Sequence, residues 1–154
     1  MYQLAQMNIA YARAPLDDPR MTGFVAQIAA VNAAADAAPG FVWRLDIPDP
    51  ERVAREVYDD PAMLINVSMW ENVEALRDFV YRGTHREPLL DRERWFRSID
   101  APHSVLWWVE AGHRPDPIEE KQRLDILADR GATPDAFTFA KPFPPPGQPG
   151  ATPR

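Results

Sequence analysis

The sequence predicts an α+β fold in which a four-stranded antiparallel sheet carries two helices on one face. Three observations predict it. Four segments alternate side chains at strand period, and two longer segments repeat apolar residues at helical spacing between recognisable start and stop signals. Their order is strand, helix, strand, strand, helix, strand, the split βαβ arrangement, to which a further helix and a proline-rich tail are appended.

At 154 residues the chain fits one domain with a core that needs no staples, read as residues 1–140 followed by a tail over 141–154. A net charge of −6 opposes a nucleic-acid partner, because affinity for a polyanion comes mainly from neutralised phosphates. The absence of cysteine removes disulfides, thiolate catalysis and Cys-ligated metals, and suits a cytoplasmic protein. The opening MYQLAQMNIAYAR lacks a basic start followed by an uninterrupted apolar run, so no secretory signal is expected, and no apolar run is long enough to span a bilayer.

Residues 2–10 alternate as a first strand, with Tyr2, Leu4, Gln6 and Asn8 on one face and Ala5, Met7 and Ile9 on the other. Asp17-Asp18-Pro19 offers an N-cap and a first-turn proline. Met21, Phe24, Val25, Ile28, Val31 and Ala35 then predict a helix over 19–37 with a broad buried stripe, and its alanine-rich back permits close approach to another element or subunit. Residues 41–47 alternate as a second strand with Phe41, Trp43, Leu45 and Ile47 on one side. The charged stretch 51–61 shows no strong period and reads as a loop.

The third strand, 62–70, carries Leu64, Asn66, Ser68 and Trp70 on one face and Met63, Ile65, Val67 and Met69 on the other. One face is wholly apolar, whereas the other sets two small polar groups beside a large aromatic, which reads as a wall shared between core and cavity. Asn72 caps a helix with apolar positions Val73, Leu76, Phe79 and Val80 and a stop at Gly83. Thr84 and Glu87 match a capping box, so a new short helix starts there, with His85 in its first turn and interleaved Arg, Glu and Asp residues as a solvated face.

Residues 104–109 form an aromatic fourth strand, and Trp107 and Trp108 must face opposite sides. Asp116-Pro117 with Glu119 starts a helix that runs to Gly131, with Ile118, Leu124, Ile126 and Leu127 inward. Phe137 and Phe139 dock onto the body, and PFPPPGQPGATPR forms neither strand nor helix, leaving an extended or disordered tail. A sheet with both helices on one face leaves the other bare. A second copy covering it is the simplest remedy, so a homodimer is expected.

The run INVSMWENVEALRDFVYRGTHR, followed by WF and LWWVEAGHRP, resembles a bacterial family catalogued as a domain of unknown function, DUF3291, within the dimeric α/β-barrel superfamily. The likeness extends from LAQMNIA and APLDDPRM through PGFVWRL to TPDAFTF and excludes only the proline tail. It implies a ferredoxin-like homodimer and no particular activity. The superfamily includes antibiotic biosynthesis monooxygenases, which oxidise aromatic polyketides without metal or flavin; Asn66 and Trp70 resemble the strand Asn and Trp found near substrate there. It also includes haem-degrading monooxygenases, to whose Asn, Trp and haem-ligating His the residues Asn8, Trp70 and His85 are similar by element. The sequence departs from that pattern at Gly83-Thr84, which breaks the helix before His85 and counts against haem.

Asn8, Asn66, Ser68 and Trp70 are therefore the candidate binding residues for a small aromatic ligand: the indole packs against a ring and an amide bonds a phenol or a developing oxyanion. Cofactor-free oxygenation needs little more, since an electron-rich substrate anion itself reduces oxygen. Tyr81 and His85 are the candidate proton carriers, one helical turn apart if the helix continues across Gly83. The bland alternative makes Trp70 core and Asn66 a partner for a neighbouring polar group. Three scattered histidines lack metal-ligand spacing, so no metal site is expected, and there is no nucleophile elbow or phosphate-binding glycine loop. A non-catalytic binding protein and a purely structural dimer are the competing readings.

Overall fold

A strand that pairs along both of its edges organises the molecule. The structure, a computed structural model, describes residues 1–82 and 92–149. β1 (Tyr2–Ala12) lies antiparallel to β3 (Met63–Trp70) on one side and to β5 (Ser104–Glu110) on the other. β2 (Phe41–Arg44) adds beyond β3, giving the order β2-β3-β1-β5. The two-residue strand β4 (Phe96–Arg97) continues the β5 edge at the far end of β1, pairing with Tyr11 and Ala12. This is the ferredoxin-like sheet that the alternation and element order predict.

Helix α1 (Thr22–Asp36) follows a 3-10 turn over Pro19–Met21 that Asp18 caps by accepting from Arg20 N. α3 (Val73–Arg82) starts where Asn72 Oδ1 accepts from Ala75 N. Both lie on the face carrying Leu4, Trp70 and Leu106, where Ala35, Val73, Leu76 and Phe137 complete a core cluster. A second cluster, of Ala12, Ala14, Met21 and Trp95, gathers Phe24 and Leu64 at the other end of the same face. α4 (Arg92–Trp95) supplies Trp95 to it.

The opposite face is not bare, which corrects the reasoning that called for a second copy there. Residues 51–61, expected as a loop, contain the helix α2 (Pro50–Tyr58), and α5 (Pro117–Arg130) lies beside it. Ala54, Leu124 and Leu127 close over Ala5, Met7, Val67, Met69 and Trp107 to form the largest core cluster. Asp49 caps α2 and Pro50 occupies its first turn, the same start signal read correctly at Asp18-Pro19 and Asp116-Pro117. α2 is strongly amphipathic, with Val53, Ala54, Val57 and Tyr58 recurring at helical spacing, Ala54 buried and Tyr58 packed on the core, so a helical period is present in the stretch read as a loop. Asp59, at φ 56°, ends it in the left-handed conformation.

Three smaller expectations also change. A bulge between Phe41 and Trp43 breaks the alternation of β2, so Phe41 joins the Trp70 cluster while Trp43 packs on the opposite side. The stripe of α1 is narrower than predicted: Met21 and Ala35 are buried, but Val25 and Ile28 are 43% and 38% exposed. In α5 Ile118 is exposed and Glu120, predicted nowhere, is fully buried. The tail is extended and docked as far as it is described, since Trp108 Nε1 donates to Phe143 O at 2.8 Å and the Phe143 ring packs on Phe137. The capping box at Thr84 and Glu87, its apolar partners Leu89 and Leu90, and His85 lie outside the described residues.

Candidate functional site

The register of β1 against β3 places Asn8 opposite Asn66, Gln6 opposite Ser68 and Leu4 opposite Trp70. All six side chains share the face beneath α1 and α3. Cross-strand neighbours at this spacing can bond directly, and these form one continuous ladder. Trp70 Nε1 donates to Ser68 Oγ at 2.9 Å, and Ser68 Oγ donates to Gln6 Oε1 at 2.9 Å. Gln6 Nε2 donates to Asn8 Oδ1 at 2.8 Å, and Asn66 Nδ2 donates to the same oxygen at 2.9 Å.

The indole fixes the sense of the whole ladder. An indole nitrogen can only donate, so Ser68 must accept from it and spend its own proton on Gln6. Gln6 then presents its nitrogen to Asn8, and Asn8 must answer with its oxygen. The consequence is an oriented pair at the far end: Asn8 Nδ2 and Asn66 Oδ1 are left without a partner among the described residues, one a donor and the other an acceptor. Burial falls along the same line, from Trp70 at 0% exposed through Ser68 and Gln6, both buried, to half-buried Asn8 and exposed Asn66.

Of the sequence-predicted residues, the fold thus brings Asn8, Asn66, Ser68 and Trp70 into one network. Trp70 does not offer its ring to the outside. Phe79 stacks on it with centroids 5.1 Å apart, and Phe41 meets it edge-on at 5.4 Å. Its connection with the open end runs through Ser68. Tyr81 is 53% exposed and packs edge-on against Phe139. His85 lies outside the described residues. His103 is tied to the backbone, its ring 3.4 Å from Ala101 O, and His113 pairs with Glu119 Oε2 at 2.6 Å on the surface.

Gln6, not among the residues expected in the site, carries the ladder across the strands, and its place beside Asn8 on the amide-bearing face of β1 is the sequence signal for it. A cavity of about 530 Å³ lies at the end of the sheet, bounded by Ala12, Arg13, Leu16, Pro48, Arg55 and Leu64 among others. Leu64, the next residue after Asn66 on the ladder face, lines this cavity, whereas Asn8 and Asn66 do not. Nothing in the sequence marked it, because its walls come from three separated loops.

The face of Trp70 is covered by Phe79 and Phe41, while His85, the residue similar to a haem-ligating histidine, lies outside the described residues. Among the described residues there is no group of three side chains placed to hold a metal ion, and no helix is long and apolar enough to cross a membrane.

The sheet order, with two helices crossing one face and the amide ladder beneath them, makes this an α+β protein of the ferredoxin-like class. More particularly, the chain belongs to the family described as a domain of unknown function, DUF3291, whose model matches residues 3–152. No curated protein matches it. Among solved structures it is similar to a candidate antibiotic biosynthesis monooxygenase from Chloroflexus aurantiacus J-10-fl, with 14% identity and a TM-score of 0.48 over 73% of this chain and 97% of that one. It is also similar to a protein of unknown function from Nitrosomonas europaea, with 15% identity and a TM-score of 0.44 over 76% and 96%.

Proposed function

We propose that the chain binds a small hydroxylated aromatic molecule on the ladder face, with Asn8 and Asn66 as its polar anchors. The observation that carries this reading is the oriented pair of open amide atoms. A phenolic hydroxyl can accept from Asn8 Nδ2 while donating to Asn66 Oδ1, satisfying both at once. Ser68 and Trp70 act from behind by holding the amides in that sense.

In the enzymatic form of the proposal the bound phenol is oxygenated without a cofactor, as its resemblance to antibiotic biosynthesis monooxygenases suggests. For 1-naphthol the balance is one dioxygen consumed, with 1,4-naphthoquinone and water formed. The anion supplies the electrons, and Tyr81 and His85 are the residues assigned to move its protons. The competing reading, binding without turnover, is favoured by one observation: Tyr81 packs against Phe139. A homodimer belongs to the same proposal, and its contact is assigned to the uncharged back of α1, where Val25 and Ile28 are exposed.

The test is titration of the protein with 1-naphthol, followed by tryptophan fluorescence, with oxygen uptake recorded in parallel. Asn66→Ala should weaken binding by about tenfold, the worth of one lost hydrogen bond plus an unpaired partner. Equal affinity in the variant would refute the site. Uptake abolished by His85→Ala with binding retained would identify the enzyme, and binding with no uptake in the unaltered protein would identify the binding protein.

A further inference from the structure

Helix α1 crosses the ladder face from end to end. Phe24 packs in the cluster with Leu64 and Ala12, and Ala35 packs in the cluster with Trp70 and Leu4. The helix advances about 1.5 Å per residue, so these anchors lie about 16 Å apart along it. The strand below covers about 20 Å between Leu64 and Trp70 at about 3.3 Å per residue. One turn beyond Phe24, on the same inner stripe, is Gln27, which this spacing sets level with Asn66.

Gln27 is a half-buried residue whose Oε1 is itself buried and has no hydrogen-bond partner among the described residues. A buried amide oxygen without a partner carries a penalty that native structures rarely tolerate without reason. It is also the wrong residue for its place, since its neighbours along the stripe, Phe24, Val31 and Ala35, are all apolar. The ladder below does not satisfy it: Asn8 Nδ2 and the second N–H of Asn66 Nδ2 are free to donate, yet neither is bonded to Gln27 Oε1.

We infer that Gln27 determines specificity in the site, reading a second hydrogen-bond donor on the ligand from the helix side while Asn8 and Asn66 hold its first hydroxyl from the sheet side. This inference rests on the proposed function and deepens it. The ligand class it selects is an aromatic ring bearing two separated donors, a hydroxyl with a second hydroxyl or an amine, in preference to a simple phenol.

The experiment compares 5-amino-1-naphthol with 1-naphthol as probes, in the full chain and in Gln27→Met and Gln27→Leu. The unaltered protein should bind the two-donor probe about tenfold tighter, the gain expected from satisfying one buried acceptor. Both variants should keep their affinity for 1-naphthol, lose the preference, and melt no lower than the unaltered protein, because an unpaired oxygen has been removed. A preference that survives both substitutions overturns the inference. So does a marked fall in melting temperature, or failure to fold, which would make Gln27 a structural residue. If the unaltered protein binds both probes equally, only the role of Gln27 fails; if it binds neither, the proposed function fails with it.

Discussion

Replacing Glu120 by glutamine should make the protein more stable at alkaline pH and flatten its pH dependence. Glu120 lies in the α5 layer with no exposed surface, and neither carboxyl oxygen has a hydrogen-bond partner among the described residues. Burial, followed by the charges of Asp116 and Glu119, raises its pKa from 4.5 to about 8. Tyr58, facing it from α2, is also held above the ordinary phenol range, first by burial and next by Glu120 itself. Lys121 offers no relief, because its ammonium is engaged by Asp125 at 2.8 Å. The folded state therefore keeps a proton at pH 7 that the unfolded chain has already lost. The contribution is full below pH 4.5, falls through the interval up to pH 8, and is gone above it. At about 1.4 kcal/mol per unit, the ceiling of the loss is about 4 to 5 kcal/mol, with roughly 3 kcal/mol already lost at pH 7. Glutamine has nearly the same shape and no proton to lose. Urea unfolding followed by tryptophan fluorescence at pH 5, 6.5 and 8 should give curves that coincide near pH 5 and separate by several kcal/mol at pH 8. Identical pH slopes in the two proteins, or a less stable variant at pH 8, would show that Glu120 is not the group responsible.

Two further substitutions test the ladder and the close contact beside it. Ser68→Ala removes the acceptor that holds the buried Trp70 N–H and the donor to Gln6 Oε1, so it should cost about 1 to 3 kcal/mol in urea unfolding and shift the tryptophan emission. Gly40→Ala places a methyl group 2.5 Å from the Ala75 Cβ at a φ of +81°, and should lower stability by more than about 1 kcal/mol, read from the thermal midpoint.

The sheet was legible because strand alternation is a local property: each of the four main strands shows it within a few residues, and the bulge at Phe41 was invisible because it depends on pairing with β3. Which faces are covered follows only once the stretch after Asp49-Pro50 is read as a helix. Whether the Met7 and Met69 face needs a partner turns on α2, a nine-residue helix whose Asp49-Pro50 start and amphipathic spacing are both present in the sequence. Its inner side is Ala54 with two valines and a tyrosine at helical spacing, a stripe set apart from the charges on the other side but only about two turns long. Glu120 misled in the opposite direction, since a glutamate between another glutamate and a lysine reads as surface, and only the packing of α5 on β5 and α2 turns it inward.

The candidate site divides in the same way. That Asn66, Ser68 and Trp70 share one face follows from period two, and that Asn8 shares a face with Gln6 follows likewise. That the two faces coincide, and that Asn8 meets Asn66 and not Ser68, depends on the register between chain segments some sixty residues apart. A slip of two residues would keep every side chain on its side of the sheet, yet it would bring Asn8 opposite Ser68 or Leu64 and break the ladder. The direction of the amides is further still from the sequence. It requires Trp70 to be buried so that its N–H must be satisfied internally, and Ser68 to be the group that satisfies it. Core packing around one indole thus sets which atoms of two distant asparagines face outward, and any recognition they perform inherits its polarity from that packing.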